Sequence, residues 1–177
     1  LISAPEMVRI EPFEVLRHDH SLPRLKTEIW NGFIFCNFDP EAKPLAPTLA
    51  KLEEELKHYD MDNMVAMPLV EVENCNWNWK IMLESSLEPY HTAYLHHGPH
   101  DFAPSRLVTF VDFDEDDGQI MHPTGFTHED AGYSPEGKVI FPVIPTLTKK
   151  ERNQMLIAGV PPTLTFGMMP DSMFWNL

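Results

Sequence analysis

Cysteine is nearly absent: Cys36 and Cys75 are the two thiols of the 177 residues, and they stand far apart with no C-x-x-C spacing. Such a pair excludes a disulfide scaffold and fits a reducing compartment, so a cytoplasmic location is expected. Two isolated thiols also cannot hold an iron–sulfur cluster unless suitably spaced histidines join them, and none do. Basic side chains are scarce, 13 Lys and Arg against 27 Asp and Glu, for a formal net charge of −14. That field repels nucleic acid and anionic membranes, so neither is expected as a partner. No apolar run approaches the ~20 residues of a membrane span. The chain opens Leu1-Ile2-Ser3-Ala4-Pro5 without Met or a leader pattern and closes on Met173-Phe174-Trp175-Asn176-Leu177 inside an apolar strand pattern, so a chain cut at both ends is expected.

What is present is a folded composition, 43% hydrophobic with 17 Pro, 10 Met and 4 Trp, enough for one core or for one domain plus part of another. Aromatic and β-favouring residues predict a strand over Glu28–Phe38, stopped by Asp39-Pro40. Leu49, Leu52 and Leu56 at helical spacing behind Thr48 predict an amphipathic helix over Thr48–Tyr59 whose acidic face is solvated. Alternation predicts a strand at Met67–Glu73, a long helix from Trp77, and a strand at Arg106–Phe113 turned through Asp114–Gly118 into Gln119–His122. The acidic turn starts like a calcium loop but has Pro123 where the bidentate Glu belongs, and reads as a solvated hairpin. Pro123 to Pro145 reads as a long surface connector or an active-site-mouth loop. Thr148 answered by Glu151 predicts a short capped helix over Thr148–Ala158, and final strands follow at Thr163–Met169 and after Pro170-Asp171.

Ionisable groups concentrate in one apolar stretch, Asn78 to His97. On a continuous helix Glu84, Glu88 and His91 share a face, where an ordinary helix would present Leu or Ile, because buried charge costs several kcal/mol unless paired or metal-bound. His96 lies about 140° round from His91, so the helix has to end or loosen, and Pro89 favours that. Two imidazoles and a carboxylate with open positions form the facial triad of non-haem iron(II) oxygenases, and catalytic zinc can use similar ligands. The zinc-peptidase pattern H-E-x-x-H is absent, and a lone H-x4-H also fits structural or surface histidines; the carboxylates on the same face favour metal. His97 rivals His96; His100, His122 and His128 are assigned to loops, and His18, His20 and His58 to the surface. The four Trp, with Met82, Leu83, Leu87 and Leu95, are assigned to the core.

Asn78-Trp79-Lys80 followed by Glu84-x3-Glu88-x2-His91-x4-His96 resembles the iron-binding motif of the large (α) subunits of Rieske non-haem iron oxygenases, the aromatic-ring-hydroxylating family and its quaternary-amine monooxygenase relatives. Leu22-Pro23 with Glu28-x-Trp30-x-Gly32-Phe33-Ile34-Phe35-x-Asn37 is similar to the end of the family's Rieske domain. Leu147-Thr148, Glu151-Arg152, Pro162-Thr163-Leu164 and Pro170-Asp171 resemble its late catalytic strands. The resemblance implies His91 and His96 as ligands of a mononuclear Fe(2+). It implies Glu88 as an acidic bridge from a ligand histidine to the Rieske 2Fe-2S cluster of a neighbouring subunit, and Glu84 as a residue orienting the ligand helix. Glu88 stands where many aromatic-ring members have Asp, and Ser85-Ser86 replace a common Asn-Phe. No C-x-H or C-x-x-H pair is present, and the family's third ligand, an Asp or Glu on a C-terminal helix, falls beyond Leu177.

The expected fold is therefore α+β: residues 1–42 as the last strands of a Rieske-type β domain, and residues 43–177 as the front of an incomplete helix-grip (START-like) catalytic domain, an antiparallel sheet with a long helix. The implied activity is mono- or dioxygenation of an aromatic or amine-type organic substrate, as in aromatic hydrocarbon catabolism. Electrons would come from NAD(P)H through a reductase or ferredoxin, in a homotrimer or larger assembly, and the segment alone would not turn over. The alternatives are a metal-free helix-grip module for an apolar ligand and a zinc-dependent hydrolase.

Overall fold

A computed structural model describes residues 1–114 and 116–176, and the chain forms two compact units, Leu1–Lys43 and Pro44–Leu177. In the first unit, helix α1 (Phe13–His20) seats Leu16 in the core, an element the sequence reading did not anticipate. The expected single strand Glu28–Phe38 is instead a hairpin of β1 (Lys26–Trp30) and β2 (Phe33–Asn37), with Trp30 opposite Phe33. Asn31 and Gly32 have φ of 45° and 85°, the two-residue turn whose twist matches that of the strands and which Asn-Gly adopts most readily. Trp30 is buried and meets the Phe35 ring edge-on.

The second unit begins with a 3₁₀ turn, Ala46–Leu49, leading into α2 (Ala50–Leu56). Leu49, Leu52 and Leu56 are all buried, as their spacing requires. Thr48 is not the cap: its hydroxyl donates to the Leu45 carbonyl inside the turn. Met67–Glu73 forms no strand. The segment is irregular and exposed, and alternation without a neighbour leaves no ladder to form.

The stretch from Asn78 is two helices. The Asn78 side chain accepts from the Lys80 backbone N–H and starts α3 (Trp79–Leu87). Glu88 precedes a proline, which excludes the helical region by clash, and its φ of −100° and ψ of 120° are extended. A second, short helix α4 (Thr92–Leu95) follows, with His91 at its start and His96 at its end. The break thus lies ahead of both histidines and not between them as expected.

An antiparallel sheet runs β3 (Ile120–Gly125), β4 (Gln154–Val160), β5 (Leu164–Met168), β6 (Met173–Asn176), in that order. Leu177, the expected end of β6, and Glu115 of the acidic turn lie outside the described residues. Arg106–Phe113 is not a strand: a 3₁₀ turn at Ser105–Leu107 leads into an irregular run beside β3, held by the Thr109 N–H to the Pro123 carbonyl. The helix expected over Thr148–Ala158 is a single 3₁₀ turn, Glu151–Asn153, followed by β4. The capping box is nevertheless made, with Glu151 Oε2 2.6 Å from the Thr148 N–H and the Glu151 N–H on Thr148 Oγ1. The apolar run after Gln154 then prefers the sheet, where β4 is buried at every position.

Register defines one sheet face. Pairings His122 with Ile157, Thr124 with Met155, Ile157 with Gly167, Gly159 with Thr165 and Gly167 with Phe174 put these side chains on the same side. Helix α3 lies over that side. A Cβ on Gly159 would stand 2.9 Å from Leu87 Cδ1, so the missing side chain lets the helix approach closely. Phe102, Ala103, Ala131, Met155, Ile157 and Met169, with Leu87 and Phe126 against them, form a core on this side.

Candidate active site

Between α3–α4 and this sheet face lies a cavity of about 170 Å³, room for on the order of ten waters or one small organic molecule. Its rim is the break between the two helices: Glu88, Pro89, His91 and His96 all line it. Its floor is the sheet, with His122, Met155, Ile157, Thr165 and Phe174. Tyr133 and His100 close one side.

Each rim residue is held by local geometry. The Glu88 carboxylate accepts the backbone N–H groups of Tyr90 (2.8 Å) and His91 (3.3 Å), bridging the proline break, and also accepts from His91 Nδ1. Burial raises the Glu88 carboxyl, but the His91 ring and these N–H groups outweigh it and hold the group below its ordinary value. With Nδ1 donating to Glu88, the lone pair of a neutral His91 is on Nε2, the nitrogen then available to a metal. The His96 ring lies edge-on to His91 at 5.1 Å between centroids. His96 leaves helical geometry at φ −107° and ψ 22°, and the two rings meet because the helix between them is one turn long.

Not all of the expected constellation gathers here. Glu84 is exposed and does not line the cavity. His97 turns away and pairs with Asp101 at 3.1 Å in an exposed position. Trp77, Trp79, Met82 and Leu95, assigned to the core by sequence, are exposed, whereas Leu83 and Leu87 pack under α3. Ser85 and Ser86 line the cavity and return their hydroxyls to the Met82 carbonyl. Among the described residues no three His, Cys, Asp or Glu side chains are gathered as a metal cluster. The donors present fit two positions on an ion, both imidazole, with Glu88 engaged as the outer partner of one.

Two histidines, His122 and His58, are placed differently from the reading of the sequence. His122 is not in a loop: it is on β3, 3% exposed, with both ring nitrogens lacking a hydrogen-bond partner. Burial lowers its pKa to about 4, against a weaker opposing pull from the Ser86 backbone, which is outside hydrogen-bonding geometry. The alternation Ile120-x-His122-x-Thr124 was the available signal, because it puts all three on one face. His100, in the turn after α4, lines the cavity, stacks on Phe102 at 5.7 Å and donates Nδ1 to the Ala103 carbonyl; burial, chiefly, lowers its pKa. His58 is not simply exposed but bonds Glu151 at 2.8 Å. Tyr133 reaches Met155 Sδ with its hydroxyl, and burial raises its pKa to about 12.

A helix broken at a Glu-Pro step lies over an antiparallel sheet, with two imidazoles on the cavity between them, in a mixed α and β domain. Residues 51–176 match the family of ring hydroxylating alpha subunits (catalytic domain), and the chain belongs to that family. A 78-residue stretch is 33% identical to putrescine 2-hydroxylase of Bordetella bronchiseptica, covering 44% of this chain and 17% of that protein. The fold is similar to that of the quaternary ammonium Rieske monooxygenase CntA solved with an inhibitor, at TM-score 0.66 and 18% identity over 99% of this chain and 42% of that one. A second solved structure, of a quaternary ammonium Rieske monooxygenase described with carnitine oxidation and inter-subunit electron transfer, gives TM-score 0.58 and 19% identity, covering 89% of this chain and 41% of that one. The chain thus spans well under half the length of these relatives. Among the described residues no helix is long and apolar enough to cross a membrane. Membership of an oxygenase family does not favour the metal-free binding module or the zinc hydrolase.

Proposed function

We propose that the chain is part of a Rieske-type oxygenase that activates dioxygen at a mononuclear non-haem iron(II) held by His91, His96 and a carboxylate beyond Leu177. The observation that carries this is the 5.1 Å approach of the His91 and His96 rings on one cavity, with Glu88 on the far nitrogen of His91. Bound there, iron(II) supplies dioxygen activation, with electrons from a Rieske 2Fe-2S centre fed by NAD(P)H through a reductase or ferredoxin. The chain's own residues bind, orient and exclude water. Glu88 fixes the His91 tautomer and ring plane, and its second oxygen holds the backbone turn that aims the imidazole.

In this reading residues 1–42 are the C-terminal remnant of a Rieske-type β domain and residues 43–177 the front of a helix-grip catalytic domain, in a cytoplasmic trimer or larger assembly. Glu88 also serves as the bridge to the neighbouring subunit's cluster, and the substrate is an aromatic or amine-type molecule. The intact protein is expected to bind about one iron per chain beyond its cluster iron and to lose it on His91→Ala, by metal analysis alongside electron paramagnetic resonance with nitric oxide. Iron content unchanged in that variant would overturn the assignment.

A further inference from the structure

Beside the two proposed iron ligands the cavity has a further imidazole with a nitrogen to spare. His100 lines the cavity from the turn after α4 and is half-buried. Three hydrogen bonds lock it in place. Its backbone N–H donates to the His96 carbonyl and its carbonyl accepts the Ala103 N–H, both at 3.1 Å, while Nδ1 donates to the Ala103 carbonyl, also at 3.1 Å. The ring stacks on Phe102 and stands edge-on to Tyr133, each at 5.7 Å between centroids. A phenyl ring would stack in the same way, so packing alone does not call for an imidazole here. What the imidazole adds is two nitrogens, and one of them is spent on Ala103. With Nδ1 donating, the neutral ring carries its lone pair on Nε2. Among the described residues nothing donates to that atom, and unlike the sealed ring nitrogens of His122 it keeps accessible surface, so water serves it until a guest arrives. The His96 ring lies 6.3 Å away between centroids, which puts this free acceptor beside one of the proposed ligands.

We propose that His100 Nε2 accepts a hydrogen bond from a hydroxyl or amine N–H of the substrate, fixing that end of the molecule one ring away from His96 and making His100 a specificity-determining residue for donor-bearing substrates. The inference rests on the oxygenase reading in treating the cavity as the substrate site. The charge of the guest is left open, because a hydroxyl and an ammonium group both donate to imidazole; what the site rejects is a molecule of the same shape without a donor. Tyr133 and Phe174, both on the cavity and both 40% exposed, give the apolar body of the guest an aromatic wall.

The test is titration calorimetry on the intact protein under argon at about pH 8, where an ordinary imidazole is neutral. Three probes of similar size are compared: benzyl alcohol, its isomer anisole, which has no donor, and toluene. Benzyl alcohol is expected to bind about fivefold tighter than anisole, the yield of one neutral hydrogen bond. His100→Phe, which keeps the stacking ring, should abolish that preference by weakening benzyl alcohol about fivefold while anisole and toluene stay within about twofold. Any contact between a probe oxygen and iron is common to both proteins and cancels in the comparison. Wild-type protein that binds benzyl alcohol and anisole equally, or binds no probe at millimolar concentration, would overturn the proposal without the variant, so poor folding of His100→Phe leaves it testable. A preference that survives in His100→Phe would overturn it too, as would loss of iron from that variant, which would make His100 a ligand instead. Loss of iron on His91→Ala is read independently, so failure of the metal assignment and failure of this one give different results.

Discussion

A carboxylate that serves two masters sets the residue scale. Glu88 accepts two backbone N–H groups with one oxygen and the His91 ring with the other, so the turn's geometry and the imidazole's tautomer depend on one side chain. Glu88→Gln keeps the size and loses the charge. Iron is expected to stay bound, because the Gln oxygen still accepts from His91 Nδ1 and keeps its tautomer, while coupled turnover collapses; oxygen uptake and product formed per NAD(P)H check both, and normal turnover would refute the bridging role. A second carboxylate works only for the fold. Glu151 is buried, capping its own 3₁₀ turn through the Thr148 N–H and bonding His58. Burial raises its pKa, but the bonds from Thr148 and His58 prevail and hold it below its ordinary 4.5. A lowered carboxylate pKa gives stability that is present in full above the unfolded value and lost as pH falls through the folded one. Glu151→Gln should therefore cost about 1–2 kcal/mol at pH 7 by urea midpoint, and the difference from wild type should shrink as pH falls below 4.5 through the group's lowered pKa.

At the scale of elements, close approach is set by glycines whose neighbours differ in their freedom to move. A Cβ on Gly159 would meet the tip of Leu87 at 2.9 Å, a flexible end that can shift, whereas one on Gly167 would stand 2.0 Å from Phe174 Cζ, a ring paired across the adjacent strand. Gly159→Ala should cost under about 1 kcal/mol and Gly167→Ala about 1–3 kcal/mol, by denaturant titration with unchanged slope. The same contrast between local and distant information governs how much the sequence tells. The Leu49, Leu52, Leu56 stripe, the strands β5 and β6 and the helical stretch with His91 and His96 are legible because each pattern is local. The hairpin at Asn31-Gly32 was legible as well, and reading through it merged two strands into one. β4 was not. Its capping box is real, yet whether helix or strand follows is decided by β3 and β5 on either side, which the local pattern does not contain. His122 escaped for a similar reason: its burial comes from Ile157 and α3, far away in sequence.

On the scale of the whole molecule, the proposed iron site draws two donors, His91 and His96, from the described residues, among which no third carboxylate, imidazole or thiol joins them. Many large apolar side chains of the same unit are also exposed, among them Val65, Val70, Trp77, Ile81, Tyr90 and Tyr94. Both features predict that Leu1–Leu177 by itself differs sharply from the intact protein. Removing even an outer hydrogen-bond partner of a metal ligand typically costs 10–100-fold in affinity. With the third ligand outside it, as proposed, the 177-residue segment should bind iron(II) more than about 100-fold more weakly than the intact protein in chelator competition. It should also bind a hydrophobic dye strongly, and the intact protein weakly. Equal iron affinity in the two would mean that the third ligand lies within this chain, and would redirect the search to the carboxylates around the cavity rim.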